Sequence, residues 1–169
     1  ENTKFSEILV KKPNFENIGL IDKWILSRLA ETIKIVNKAL NKFNISIAGD
    51  AIYHFVWDEF CAWYIEASKV ELNKDVLRFV YLEILKLVHP ICPFVTESLW
   101  KNLGDKNNLI IENDFPNLDF KDQKSIEIFT IIQQIVTEIR SVRAEKKLNP
   151  KDKISIKIKV TDNLENLVK

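Results

Sequence analysis

The chain of 169 residues has no methionine, only three glycines, two cysteines and five prolines. Each scarcity excludes something. Gly19, Gly49 and Gly104 stand far apart, so neither a G-x-G-x-x-G fingerprint nor a P-loop can be written, which argues against nucleotide chemistry on this chain. Two cysteines are too few for a disulfide scaffold, and a reducing, cytoplasmic compartment is the expectation. The longest apolar stretches, such as Ile52–Trp57, fall far short of the roughly 18 residues that a membrane span needs. No charged, apolar and small-residue succession opens the chain as a secretory leader would. A chain that begins at Glu1 without methionine is expected to be a processed product or a fragment.

What is present is enough for a packed domain. Hydrophobic residues make up 46% of the chain, and a chain of this length can bury about 70% of the surface its unfolded form exposes. The formal net charge of +1 conceals an asymmetry. Between Arg140 and Lys159 stand eight cations (Arg140, Arg143, Lys146, Lys147, Lys151, Lys153, Lys157 and Lys159) against Glu145 and Asp152, a net of +6 that leaves −5 for the remainder. A basic stretch on an acidic body fits a polyanion partner. It also fits a solvated helix face followed by a lysine-rich edge strand, where lysine discourages edge pairing.

Periodicity places the elements. Residues 1–20 carry no sustained period and read as an irregular lead-in. From Asp22, an expected N-cap, Leu26, Leu29, Ile33, Val36, Leu40 and Phe43 recur at steps of three and four, which predicts an amphipathic helix. A second helix runs from the break at Asn44–Ser46 to about Glu71. Its middle is apolar nearly all round, so it is expected to be central, with Trp57 and Trp63 in the core, as Trp100 is later in the chain. Asn73 is placed to cap a third helix ending at His89-Pro90, and Pro93 to open a fourth through Leu103. Leu109–Ile111 reads as a short extended piece and residues 114–119 as a connector. A fifth helix spans about 122–147 with the stripe Ile128, Ile132, Ile135, Ile139 and Val142, off which Arg140, Arg143 and Lys147 stand. Residues 153–160 alternate as a strand, and a helix begins near Asn163. The expected fold is therefore all-α in the main: an antiparallel helical bundle over 21–148, followed by a small strand-containing α/β segment over 149–169 that is cut short.

Two chemistries can be weighed and set aside. His54, Cys61, His89 and Cys92 are the only soft metal ligands. Their spacing would allow two pairs, but Cys61 lies among large apolar residues and no cysteine-rich knuckle accompanies them, so no metal is expected. Asp58, Glu59 and Glu66 lie on one helix without a nucleophile, and ion pairs or polar links between helices account for them better than general acid–base work.

Three strings carry a resemblance. Asp22-Lys-Trp-Ile-Leu-Ser-Arg-Leu, Phe55-Val-Trp-Asp-Glu-Phe-Cys-Ala-Trp-Tyr-Ile-Glu-Ala-Ser-Lys69 and Leu87-Val-His-Pro-Ile-Cys-Pro-Phe-Val-Thr-Glu-Ser-Leu-Trp100 resemble the anticodon-binding domain of class I aminoacyl-tRNA synthetases. The second string, with Ile139-Arg-Ser-Val-Arg-Ala-Glu and Asn149-Pro150 after it, is most similar to the valine enzymes. The resemblance covers about residues 20–160. It implies a helical bundle that grips the anticodon arm of tRNA-Val, with the catalytic and editing domains of the same polypeptide as further partners. It implies no catalytic, cofactor-binding or metal residue here, because the adenylation signatures of the HIGH and KMSKS type are absent and ATP belongs to the full-length enzyme. The candidate tRNA-binding residues are Arg140, Arg143, Lys146, Lys147 and Lys151. The competing reading is a structural helical module whose basic segment docks on protein rather than RNA. Salt-sensitive binding to tRNA separates the two.

Overall fold

The structure is a computed structural model that describes residue 15, residues 17–103 and 108–149, and residues 152, 154 and 155. It divides into two compact units, one ending at Lys121 and one beginning at Asp122. Most of the lead-in, and most of the segment 149–169, lie outside the described residues. Among those described no β-strand occurs. Of the expected strand only Ile154 and Ser155 are described, and they form no regular element.

The first unit is built on helix α1, Leu20–Leu40. Four of the six stripe residues bury as expected: Leu26, Leu29, Ile33 and Val36 are fully buried, each worth about 1.5–3 kcal/mol against exposure, while Leu40 is half-buried and Phe43, past the end of the helix, is exposed. The helix starts three residues earlier than the sequence predicts. Gly19 is the N-cap and gives no side-chain hydrogen bond, while its carbonyl accepts from Lys23 N at 3.0 Å. Asp22 is not the cap. It sits in the first turn, buried, and accepts from the Tyr64 hydroxyl at 2.8 Å. The buried Ser27 and Thr32 are satisfied within the helix by the carbonyls of Lys23 and Arg28. The helix ends in a turn that places Phe43 at φ 54°, a left-handed conformation costing a non-glycine residue about 1–2 kcal/mol.

Asn44 then caps α2, Ile45–His54, by accepting from Ile47 N. This helix does not continue as a plain α-helix. Residues Phe55–Tyr64 widen into a ten-residue π-helical stretch, in which Ile65 N reaches back five residues to the Phe60 carbonyl, before α3 closes the run at Ile65–Ser68. The buried positions record the change of period. Ala48, Ile52, Phe55, Phe60, Tyr64 and Ser68 face inward, with a step of five across the π stretch.

Arg28 ties α1 to that stretch, donating from Nε and Nη2 to the two Glu59 oxygens at 2.9 and 2.6 Å. Glu59 is thus one of the polar links between helices that its position predicted, and Glu66 pairs locally with Lys69. Asn73 caps α4, Lys74–Val88, and Pro93 opens α5, Pro93–Asn102, both as the sequence implies. Leu82 and Leu85 of α4 pack with Trp100 of α5 and with Ile110. Leu109–Ile111 is not extended. Residues Ile110–Glu112 make one 3₁₀ turn, because the Glu112 carboxylate accepts from Leu109 N and the Glu97 carboxylate from Ile110 N, each at 3.1 Å. The connector after it lies along α1. The Pro116 carbonyl accepts from Asn37, Lys34 pairs with Asp119, and Phe120 meets Phe15 edge-on at 5.5 Å.

The second unit holds α6, Gln123–Glu145. Asp122 caps it by accepting from Ser125 N at 2.8 Å.

Candidate nucleic-acid interface

The basic candidates gather at the C-terminal end of α6. Arg140 and Arg143 lie in its last two turns, Lys146 is the C-cap, and Lys147 follows at φ 52°. The turn closes the helix in a recognisable way. Lys147 N donates to the Ala144 carbonyl at 3.1 Å, and Leu148 N to the Arg143 carbonyl at 3.0 Å. That pair of bonds is the Schellman closure, normally built around a glycine at the left-handed position. Here a lysine holds it.

Arg143 fastens the chain beyond the turn. Its Nη2 donates to the Asn149 carbonyl at 2.6 Å and to the Asp152 carbonyl at 3.0 Å. One end of its guanidinium is committed to positioning the backbone, and a guanidinium carries five N–H donors in all. Arg140, Lys146 and Lys147 are exposed. Lys151 lies outside the described residues. Four of the five candidates are therefore brought onto one helix terminus within two turns. Two chemical consequences follow. The cations offset the partial negative charge of the helix C-terminus, worth about 0.3–1 kcal/mol each at a surface. The same cluster presents several ammonium and guanidinium groups to water, where a polyanion can displace their counterions.

Aromatic side chains that a nucleic-acid base or another partner could meet are found where the sequence reading did not place them. Trp100 is in the core, 3% exposed, and Trp63 is half-buried, but Trp57 is 62% exposed. Tyr53 is 57% exposed beside it, with the two rings parallel within 7° at 6.4 Å. The second helix is therefore not buried all round. Its π-helical widening turns Phe55, Phe60 and Tyr64 inward and leaves the Trp57 row outside. Phe43 and Phe94 are more exposed still, at 92% and 90%. Three-and-four periodicity cannot announce a step of five, so only the excess of large apolar residues on this helix hinted that some must remain outside.

Next to the ring pair stands a charged cluster. His54 Nδ1 is 2.6 Å from Asp58 Oδ2, and Nε2 is 3.6 Å from Asp50 Oδ1. The hydrogen bond with Asp58 raises the imidazole above its ordinary value, and the Asp50 charge adds to it. Among the described residues no group of three or more histidine, cysteine and carboxylate side chains is placed to hold a metal ion. No helix among them is long and apolar enough to cross a membrane.

Comparison with known proteins places the chain in a family. The family described as the anticodon-binding domain of tRNA ligase matches residues 22–158. The valine–tRNA ligase of Staphylococcus carnosus is 34% identical over 96% of this chain and 19% of its own length. That of Thermotoga maritima is 36% identical over 94% and 20%. That of Lactiplantibacillus plantarum is 38% identical over 85% and 17%. The chain spans about a fifth of the length of these relatives.

Proposed function

The chain belongs to the anticodon-binding domain family of tRNA ligases, and from that premise we propose that it is the module of a valine–tRNA ligase that binds the anticodon arm of tRNA-Val. The observation that carries the reading is the likeness to valine–tRNA ligases across almost the whole chain. In this reading the attachment of valine, driven by ATP, belongs to other domains of the same ligase, and the work is done in the cytoplasm.

The α6 terminus supports the physical side of it. Arg140, Lys146, Lys147 and the uncommitted donors of Arg143 neutralise tRNA phosphates, while the Schellman closure and the Arg143 bonds fix the turn that carries them. Lys151 extends the same run. Phosphate contacts position the arm without reading sequence, so base recognition falls to other side chains. Bases splayed from a loop are read by stacking and edge hydrogen bonds.

The test is tRNA-Val binding across a salt series for the unaltered chain and for Lys146→Ala with Lys147→Gly. Each lost phosphate contact lowers the slope of log K against log salt by about 0.7–0.9. A flatter slope together with weaker binding supports the reading. An unchanged slope removes these lysines from the interface, and negligible binding at low salt favours a module that docks on protein instead.

A further inference from the structure

We propose that the Tyr53–Trp57 face of α2 and the π-helical stretch is a docking site for an arginine-bearing protein segment. The inference starts from an arrangement that bundle packing does not use. Tyr53 and Trp57 are a residue pair four apart whose rings lie parallel within 7°. Both keep more than half of their surface in water, so aromatic surface of both rings is open to a partner. Two successive four-residue steps along α2 and the π-helical stretch set Asp50, His54 and Asp58 in the neighbouring row, with side chains 74%, 59% and 54% exposed.

Charge complementarity selects the occupant. Two carboxylates flank one imidazole, so the row carries a net negative charge in either state of His54. The body outside the basic window is also acidic. A phosphate backbone approaching this face meets both carboxylates, and like charges at such distances repel. A guanidinium meets the opposite situation. It stacks flat on an indole or phenol ring and pairs with a carboxylate through its fork of N–H donors, which a compact ammonium does less well. The ring faces supply apolar contact for the stem of the same side chain and for its neighbours. The occupant is therefore a protein segment that places an arginine over Trp57, within reach of Asp58 or Asp50, and apolar side chains against Tyr53.

The probes are two designed helical peptides, one with a leucine stripe and two arginines, the other with glutamates in place of the arginines. The readout is the indole N–H resonance of Trp57, assigned by its loss in Trp57→Phe. The arginine peptide is expected to shift that resonance and to bind about tenfold more tightly than its twin, the combined effect of one exposed cation–π contact and one or two surface ion pairs. Asp50→Asn with Asp58→Asn should bring the two affinities together. Trp57→Ala, which lacks that resonance and is followed instead by fluorescence anisotropy of labelled peptide, should weaken both peptides. All these side chains are exposed, and circular dichroism checks that each variant keeps its helix content. Four results overturn the proposal: no shift with either peptide, equal affinities for the two, a larger shift with a uridine-rich RNA oligomer, or a shift that follows protein concentration alone and so reports a second copy on this face.

Discussion

Tyr64→Phe is the substitution whose cost the structure defines most closely. The Tyr64 hydroxyl is buried and donates to Asp22 Oδ1 at 2.8 Å, joining residues 42 positions apart. The ring itself packs on Phe60 with centroids 5.8 Å apart, and phenylalanine preserves that contact. What is lost is one charge-assisted hydrogen bond to a buried carboxylate, about 2 kcal/mol, or roughly a 30-fold fall in the folded-to-unfolded ratio. The loss should depend on pH in a defined sense. Burial holds the Asp22 carboxyl above its usual 3.8, the hydrogen bonds from Tyr64 and Asn73 pull it down, and Glu71 pushes it further up. A carboxyl raised in the folded state binds its proton more tightly there than in the unfolded chain. Its contribution is thus fully present below pH 3.8 and is lost as pH rises through the raised value. Removing the Tyr64 hydroxyl lifts that value further. The penalty of Tyr64→Phe should then fall toward about 1 kcal/mol near pH 3.5, as pH drops below 3.8 and Asp22 gains its proton, and be full at pH 7. Urea unfolding followed by circular dichroism at the two pH values measures it. In the background of Asp22→Asn, which keeps an acceptor and removes the charge, the cost should drop to about 1 kcal/mol and lose its pH dependence. A penalty below about 0.5 kcal/mol at pH 7, or one equal at both pH values, refutes the role assigned to this bond.

Three further outcomes are expected. Asn73→Ala removes the side chain that accepts from Val76 N at the start of α4 and should cost about 1 kcal/mol, read as a lower urea midpoint. Lys147→Gly relieves a left-handed residue at φ 52° and should raise stability by up to about 1 kcal/mol while flattening the salt dependence of tRNA binding. His54 titrates above 6.5 chiefly because Asp58 hydrogen-bonds it, so its contribution to helix stability is present below pH 6.5 and fades as pH rises through the raised value; His54→Ala should lose stability at pH 5.5 and not at pH 9, and an NMR titration of the imidazole gives the midpoint.

Much of the bundle was legible because its signals are local. Leu26, Leu29, Ile33 and Val36 of α1 bury as their spacing requires, and Asn73 and Pro93 sit where capping chemistry puts them. What was not legible depends on distant partners or on departures from the α period. Asp22 has the residue type and position of an N-cap, and only Tyr64, 42 residues on, makes it a buried acceptor instead. Trp57 is outside because the helix widens after His54, and an apolar run gives no sign of widening. Leu109–Ile111 has strand-like composition, but two carboxylates capture its amides and curl it into a 3₁₀ turn. At the α6 terminus the clustering of cations could be read directly. The commitment of Arg143 to the carbonyls of Asn149 and Asp152 could not, since it follows from a left-handed turn at a lysine, where neither glycine nor asparagine marks it.

The most direct measurement is the binding of this chain to tRNA-Val and to the same tRNA with its anticodon replaced, at matched salt near physiological ionic strength. An anticodon-arm module of a valine–tRNA ligase should bind the natural tRNA more tightly, by about tenfold or more, which corresponds to one or two lost base contacts. Both affinities should fall together as salt rises. Equal affinity for the two at every salt concentration would contradict the account and reduce the basic terminus of α6 to a nonspecific polyanion surface.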